Sequence, residues 1–204
     1  ITPEFNFSIL FNSIGGAGIL ENEKTSNKTL AVTADYVGKR YMLNAGIINN
    51  KINRNENGGI TDPKFVRDTT MEMREIPINL SNASSQTEKH TVFLDQQLRI
   101  PFNFINRIKA RRDSTFAFDE AEMDRDLTSA FLGHSSEFST YSRNYKDRTN
   151  SGNPGADSLR TAVLDNKVFL RLQPFRSEGA VSKLDIGAGD IFRQYWAPST
   201  MVPG

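Results

Sequence analysis

Residues 29–48 read TLAVTADYVGKRYMLNAGII, and this stretch decides the fold class. Apolar and polar residues alternate on both sides of a short turn, Gly38-Lys39-Arg40. The apolar members of the alternation are Leu30, Val32, Ala34, Tyr36, Tyr41, Leu43, Ala45 and Ile47. Successive side chains of a β-strand point to opposite faces, so two alternating runs joined by a tight turn predict a β-hairpin with one apolar face.

The same alternation recurs along the chain on either side of this hairpin. The other runs are 5–12, 91–100, 131–145, 167–173 and 182–190. Together they predict an all-β chain of about seven or eight antiparallel strands, at roughly the 9–11 residues that a tilted membrane strand needs.

Three segments between these runs lack alternation. Residues 49–90 are rich in turn-formers and charges and are predicted to form a long extracellular loop, residues 106–126 a charged connection, and residues 146–166 a second extracellular loop. Long loops are uncommon in compact soluble domains, whereas outer-membrane barrels carry them on their extracellular side.

Composition narrows the function classes. The 204 residues carry a formal net charge of +1 and no cysteine. A near-neutral chain lacks the excess of Lys and Arg with which nucleic-acid binders neutralise phosphates, so no nucleic-acid partner is expected. The lack of cysteine excludes disulfides, thiolate metal sites and a cysteine nucleophile within this chain. No run of about 18 apolar residues is present, but a transmembrane barrel hides its apolar face in alternation.

Catalytic and metal-binding patterns are not found. His90 and His134 have no second ligand at a workable spacing, and the acidic run 119–126 lacks the spacing of a calcium loop. The sequence therefore predicts a protein that is not an enzyme and holds no metal or cofactor.

The candidate functional residues are the polar residues that alternate with the apolar ones in each predicted strand. If Leu30, Val32, Val92, Leu94, Leu98, Val168, Leu170, Leu184 and Ile186 face lipid, the opposite parity faces a water-filled lumen. The residues predicted to line that pore are Asp35, Asn44, Asp95, Gln97, Arg99, Arg171, Lys183 and Asp185. The same alternation also fits a soluble sheet whose polar face meets water and whose apolar face forms a core, and alternation does not separate the two.

Several segments in order resemble one family, the putative outer-membrane β-barrel porins of the Bacteroidota. They are GKRY (38–41), NENGGITD (55–62), RDTT (67–70), REIP (74–77), TVFLDQ (91–96), GHSSEF (133–138), LRLQP (170–174) and SKLDIG (182–187). Members of the family are longer than 204 residues, so the resemblance implies that residues 1–204 are an internal portion of one outer-membrane β-barrel domain.

The resemblance implies a channel for passive diffusion of small polar solutes in the bacterial outer membrane. The expected partners are outer-membrane lipid, small polar solutes and other outer-membrane proteins. Two alternatives stay open at this point. One is a scaffold barrel of an outer-membrane complex with a plugged lumen, and the other is a soluble β-sandwich binding module.

Overall fold

A computed structural model describes residues 3–67, 70–101, 129–149, 155–173, 176–177, 180–181 and 183–197. Its strands are β1 (Phe5–Ala17), β2 (Lys24–Val37), β3 (Tyr41–Glu56), β4 (Ala83–Pro101), β5 (Ser129–Asp147), β6 (Gly155–Gln173), β7 (Arg176–Ser177), β8 (Ala180–Val181) and β9 (Leu184–Trp196). One 3₁₀ helix spans Pro63–Arg67. None of the described residues belong to a helix that could cross a bilayer.

Seven of these strands form one antiparallel sheet in the order β1-β2-β3-β4-β5-β6-β9. Each strand pairs with the next long strand along the chain, and β7 pairs only with β8. The predicted hairpin is confirmed, with Val37 opposite Met42 across the Gly38-Lys39-Arg40 turn. The predicted all-β antiparallel fold is also confirmed, and within the described residues the sheet is open, with β1 at one edge and β9 at the other.

Both ends of the segment 49–90, which the sequence predicted as a loop, are β-strand. β3 continues to Glu56 and β4 begins at Ala83, so the connection is residues 57–82. The alternation pattern did not reveal these extensions, because most of their residues are polar on both faces. Lys51 and Glu88, for example, lie opposite each other in them. A strand with two polar faces has backbone pairing but no alternation to reveal it.

The segment predicted as the second loop, 146–166, shows the same difference. β5 ends at Asp147 and β6 begins at Gly155, so residues 155–166 are strand and the connection is 148–154. The start of β6 was predicted as a loop because it carries charged residues such as Asp157 and Arg160. The predicted connection 106–126 lies outside the described residues.

The described part of the connection 57–82 is folded. Ile60 bridges Ile78, and Ile76 is only 4% exposed. In the β1–β2 turn, the Asn22 side-chain amide donates to the backbone carbonyls of Glu56, Leu80 and Ala83 at 2.8, 3.1 and 3.2 Å. The backbone N–H of Arg148 donates to the carbonyl of Asn82 at 2.9 Å, so three connections join at this end of the sheet.

Candidate functional site

The register assigns every strand residue to one of two faces. Phe5 lies opposite Tyr36, which lies opposite Leu43, and the same rows continue through Gln96 and His134 to β6 and β9. We call the face that carries these residues the apolar face. All nine residues predicted to face lipid lie on it: Leu30, Val32, Val92, Leu94, Leu98, Val168, Leu170, Leu184 and Ile186.

The apolar face carries a band of apolar side chains that ends at a sharp border. The band consists of the alternate residues within 5–11, 30–36, 41–47, 92–100, 130–138, 164–172 and 184–192. Beyond it, the same face carries Lys28, Asn49, His90 and Thr140. A stretch such as 92–100 measures about 26 Å along the strand at about 3.3 Å per residue. Such a stretch is close to the roughly 9–11 residues with which a tilted strand crosses a membrane.

Among the described residues, no second layer covers this band. Many of its large side chains stay exposed, from 37% at Leu170 to 66% at Phe11. Of the buried strand residues, Ser85 and Thr91 lie on the opposite face, and Ala130 lies in the band. A soluble sandwich needs a second layer over its apolar face, and among the described residues none lies there. A band of this kind is suited to lipid.

The opposite face, here called the polar face, holds the residues that the sequence predicted to line a pore. Asp35, Asn44, Asp95, Gln97, Arg99, Arg171 and Asp185 all point to it by register, and Lys183 directly precedes β9. Asp35, Asn44 and Asp95 occupy one row across β2, β3 and β4. The Asn44 side-chain amide donates a hydrogen bond to Asp35.

Four of these residues, three of them charged, form a cluster on β4, on β6 and at the start of β9. Arg171 Nε donates to Asp185 Oδ1 at 2.9 Å, and Arg171 Nη2 donates to Asp185 Oδ2 at 3.2 Å. Arg171 Nη1 also donates to Gln97 Oε1 at 3.4 Å, and Lys183 Nζ lies 3.5 Å from Asp185 Oδ2. The two-point contact fixes the guanidinium plane against the wall of the sheet.

Two phenylalanines on the polar face lie over glycines of neighbouring strands. Phe169 is directly opposite both Gly133 and Gly187, and Phe93 is directly opposite Gly46. A side chain at Gly133 would meet the Phe169 ring, because a Cβ built there lies 2.2 Å from Cζ of the ring. Glycine at these positions lets the rings lie against the backbone, where they compensate for the missing side chains.

Sequence reasoning missed further charges on the polar face, among them Lys167, Glu137 and Asp165. Lys167 shares a row with Asp95, and Glu137 lies directly opposite Asp165. All of these side chains are exposed. The parity of β5 and β6 was available from the sequence, but the register that brings Lys167 to the level of Asp95 and Glu137 opposite Asp165 depends on cross-strand pairing.

Aromatic and charged side chains mark the borders of the band. Tyr36 and Tyr41 lie at the turn end with ring centroids 6.3 Å apart, and Trp196 lies beyond the other border. There, outside the band, Lys51 Nζ is 2.7 Å from Glu88 Oε1. Hydrogen bonds from Lys51 and then Gln86 hold the pKa of Glu88 below its usual value.

The two histidines hydrogen-bond to amides of neighbouring strands. His90 Nδ1 lies 2.7 Å from Asn49 Oδ1, and His134 Nδ1 lies 3.1 Å from Gln96 Nε2. In the part of the chain that the structure describes, no group of three or more His, Cys, Asp or Glu side chains is arranged to hold a metal ion. The sheet therefore presents charged side chains on its polar face and apolar side chains on the opposite face.

Comparison with known proteins gives one match. A family model described as "Putative porin" matches residues 1–188. Searches of curated proteins and of solved structures found no significant match. The match covers nearly all of the chain and agrees with the two-faced antiparallel sheet, which has the form of part of an outer-membrane β-barrel. The chain belongs to the putative porin family.

Proposed function

We propose that this sheet is part of the wall of a water-filled channel through which small polar solutes diffuse passively across the bacterial outer membrane. The observation that carries the proposal is the segregation of the two faces. Charged residues such as Asp95, Lys167 and Arg171 share one face, and the uncovered apolar band occupies the other. Membership of a porin family supports a channel protein of the outer membrane rather than a catalyst.

The mixed charge of the polar face supports weak selectivity rather than a tight binding site. Cationic and anionic side chains lie within a few rows of each other, and Arg171 and Asp185 neutralise each other in part. Charged rings in a pore select ions through the local field, which falls off within about 8 Å at physiological salt. We therefore expect exposed charges such as Asp95, Lys167 and Glu137 to contribute more than the paired ones.

Conductance of the intact protein in planar lipid bilayers tests the proposal. We expect stepwise channel openings, and we expect Lys167→Glu to shift the reversal potential in a salt gradient toward cation preference. Lys28→Glu is the matched control, because it makes the same charge change on the apolar-face side, beyond the band. An equal shift for both variants would contradict the assignment of the polar face to the lumen.

The scaffold alternative predicts a different result in the same experiment. If the lumen is plugged, the folded protein conducts no ions in any variant. Folding is checked separately by gel mobility in SDS before and after boiling, since a closed barrel resists SDS until it is heated. A heat-modifiable protein without conductance would replace the channel proposal with the scaffold role.

A further inference from the structure

Five polar side chains interrupt the apolar band on its β4, β5, β6 and β9 part. They are Gln96, His134, Ser136, Asn166 and Asp190, here called the polar stripe. The stripe crosses the middle of the band, with Val92, Phe138 and Phe192 on one side of it and Leu98 and Leu132 on the other. Polar and ionisable groups facing hydrocarbon are expensive, so the stripe needs an explanation.

The stripe is only partly satisfied within the sheet. Tyr41 Oη donates to Gln96 Oε1 at 2.9 Å, and Ser136 Oγ donates to Asn166 Oδ1 at 2.7 Å. With Gln96 Nε2 donating to His134 Nδ1, the inferred His134 tautomer carries its proton on Nε2. Among the described residues, none forms a hydrogen bond with His134 Nε2 or with the exposed Asp190 carboxylate.

The same region of the apolar face is indented. A depression of about 340 Å³ is lined on this face by Tyr41, Gln96, Leu98, Leu132, His134 and Val168. The hydrogen bond between Gln96 and His134 therefore borders a space that a side chain from another surface can enter. Lipid tails can fill that space, but they can offer no hydrogen bond to its polar groups.

We propose that the polar stripe and this depression form the contact between this barrel and a second copy of the same chain. Copies inserted in one membrane share an orientation, so a symmetric pair is related by an axis along the membrane normal. Such an axis brings residues of equal depth together, and the stripe of one copy then meets the stripe of the other. Amide, imidazole, hydroxyl and carboxylate groups provide donors and acceptors on both sides, which makes the surface self-complementary.

The absence of a comparable stripe on β1–β3 supports a localised contact. In those strands the band residues are all apolar or aromatic. Ala34 and Ala45 occupy the same row as Ser136, three strands and two strands away. This inference rests on the proposed placement of the band in lipid, but it does not depend on whether the channel conducts.

Cross-linking in membranes tests the contact. The chain contains no cysteine, so Ser136→Cys in the intact protein, with any cysteine outside these 204 residues changed to serine, introduces one thiol at the stripe. With a short bismaleimide we expect a species of twice the mass of one chain. Ala34→Cys, in the same row on the uninterrupted part of the band, is the matched control and should stay at the mass of one chain.

A second variant separates contact from folding. Gln96→Leu combined with His134→Leu in the Ser136→Cys background should abolish the cross-linked pair while the protein keeps its heat-dependent gel shift. Equal cross-linking of Ser136→Cys and Ala34→Cys, no cross-linking of either, or a product containing a different protein would each overturn the inference. None of these results would bear on conductance.

Discussion

The first three strands and the last four long strands build the same sheet but treat the apolar face differently. On β1, β2 and β3 the band is continuous, as at Ile9, Val32 and Ile47, which lie in one row. On β4, β5, β6 and β9 it is crossed by the polar stripe, which includes His134 and Asn166. With the band placed in lipid as proposed, the difference implies that the two parts of the band have different neighbours.

The largest expected effect comes from putting a charge into the continuous part. Val32→Arg places a guanidinium on the apolar face between Ile9 and Ile47, and we expect it to lower the free energy of unfolding by about 2–4 kcal/mol. The measurement is denaturant unfolding of the intact protein from lipid vesicles. Thr33→Arg, the next residue on the polar face, breaks one hydrogen bond to Ser8 and should cost about 1 kcal/mol or less.

Equal losses for Val32→Arg and Thr33→Arg would mean that the two faces meet the same solvent. The comparison between the two parts of the band would then lose its basis, since neither part would face lipid.

A smaller loss of stability is expected when glycines on the polar face are substituted. Gly133→Ala puts a methyl group where the Phe169 ring lies, so we expect overpacking to lower the free energy of unfolding by about 1–3 kcal/mol. Gly16→Ala on β1 meets nothing within 4 Å and should change it by about 0.5 kcal/mol or less. The same unfolding experiment measures both, and a neutral Gly133→Ala would show that the ring moves without cost.

Much of this arrangement could be predicted from the sequence, because face assignment within a strand is local. Alternation alone places Asp95 and Arg99 on one face and Leu94 and Leu98 on the other. Alternation did not single out Gln96, because this one polar residue belongs to an otherwise apolar parity. The stripe emerges only when the register sets Gln96 beside His134.

The strand extensions beyond the band could not be predicted for a related reason. Residues 49–56 and 83–90 pair with each other in register, but both of their faces carry mostly polar side chains. Backbone pairing leaves no hydrophobic period in such a segment, so charges and turn-formers there look the same as in a loop. The charges of Glu137 and Lys167 could be assigned to a face, but their neighbours across the sheet could not.

The smallest expected effect concerns the border of the band. Glu88→Gln removes the ion pair with Lys51, and we expect a loss of less than about 1 kcal/mol, because the pair is partly exposed. The pKa of Glu88 is lowered in the folded protein, so this contribution is present at neutral pH and is lost as the pH falls through that lowered pKa. Unfolding at neutral and acid pH measures it.

Glu137→Gln is the control for that experiment. Glu137 lies opposite Asp165 rather than a cation, so its loss should leave the free energy of unfolding unchanged or slightly raised. A larger loss for Glu137→Gln than for Glu88→Gln would contradict the charge placement on the two faces.

The most direct test of the central claim, that one face of the sheet meets lipid and the other meets water, is a nitroxide scan of residues 29–36 on β2 in the intact protein in lipid vesicles. We predict a period of two. Labels at Leu30, Val32 and Ala34 should be accessible to oxygen dissolved in the bilayer, and labels at Ala31, Thr33 and Asp35 to a water-soluble relaxation agent. Equal access of the water-soluble agent to both sets would contradict the claim.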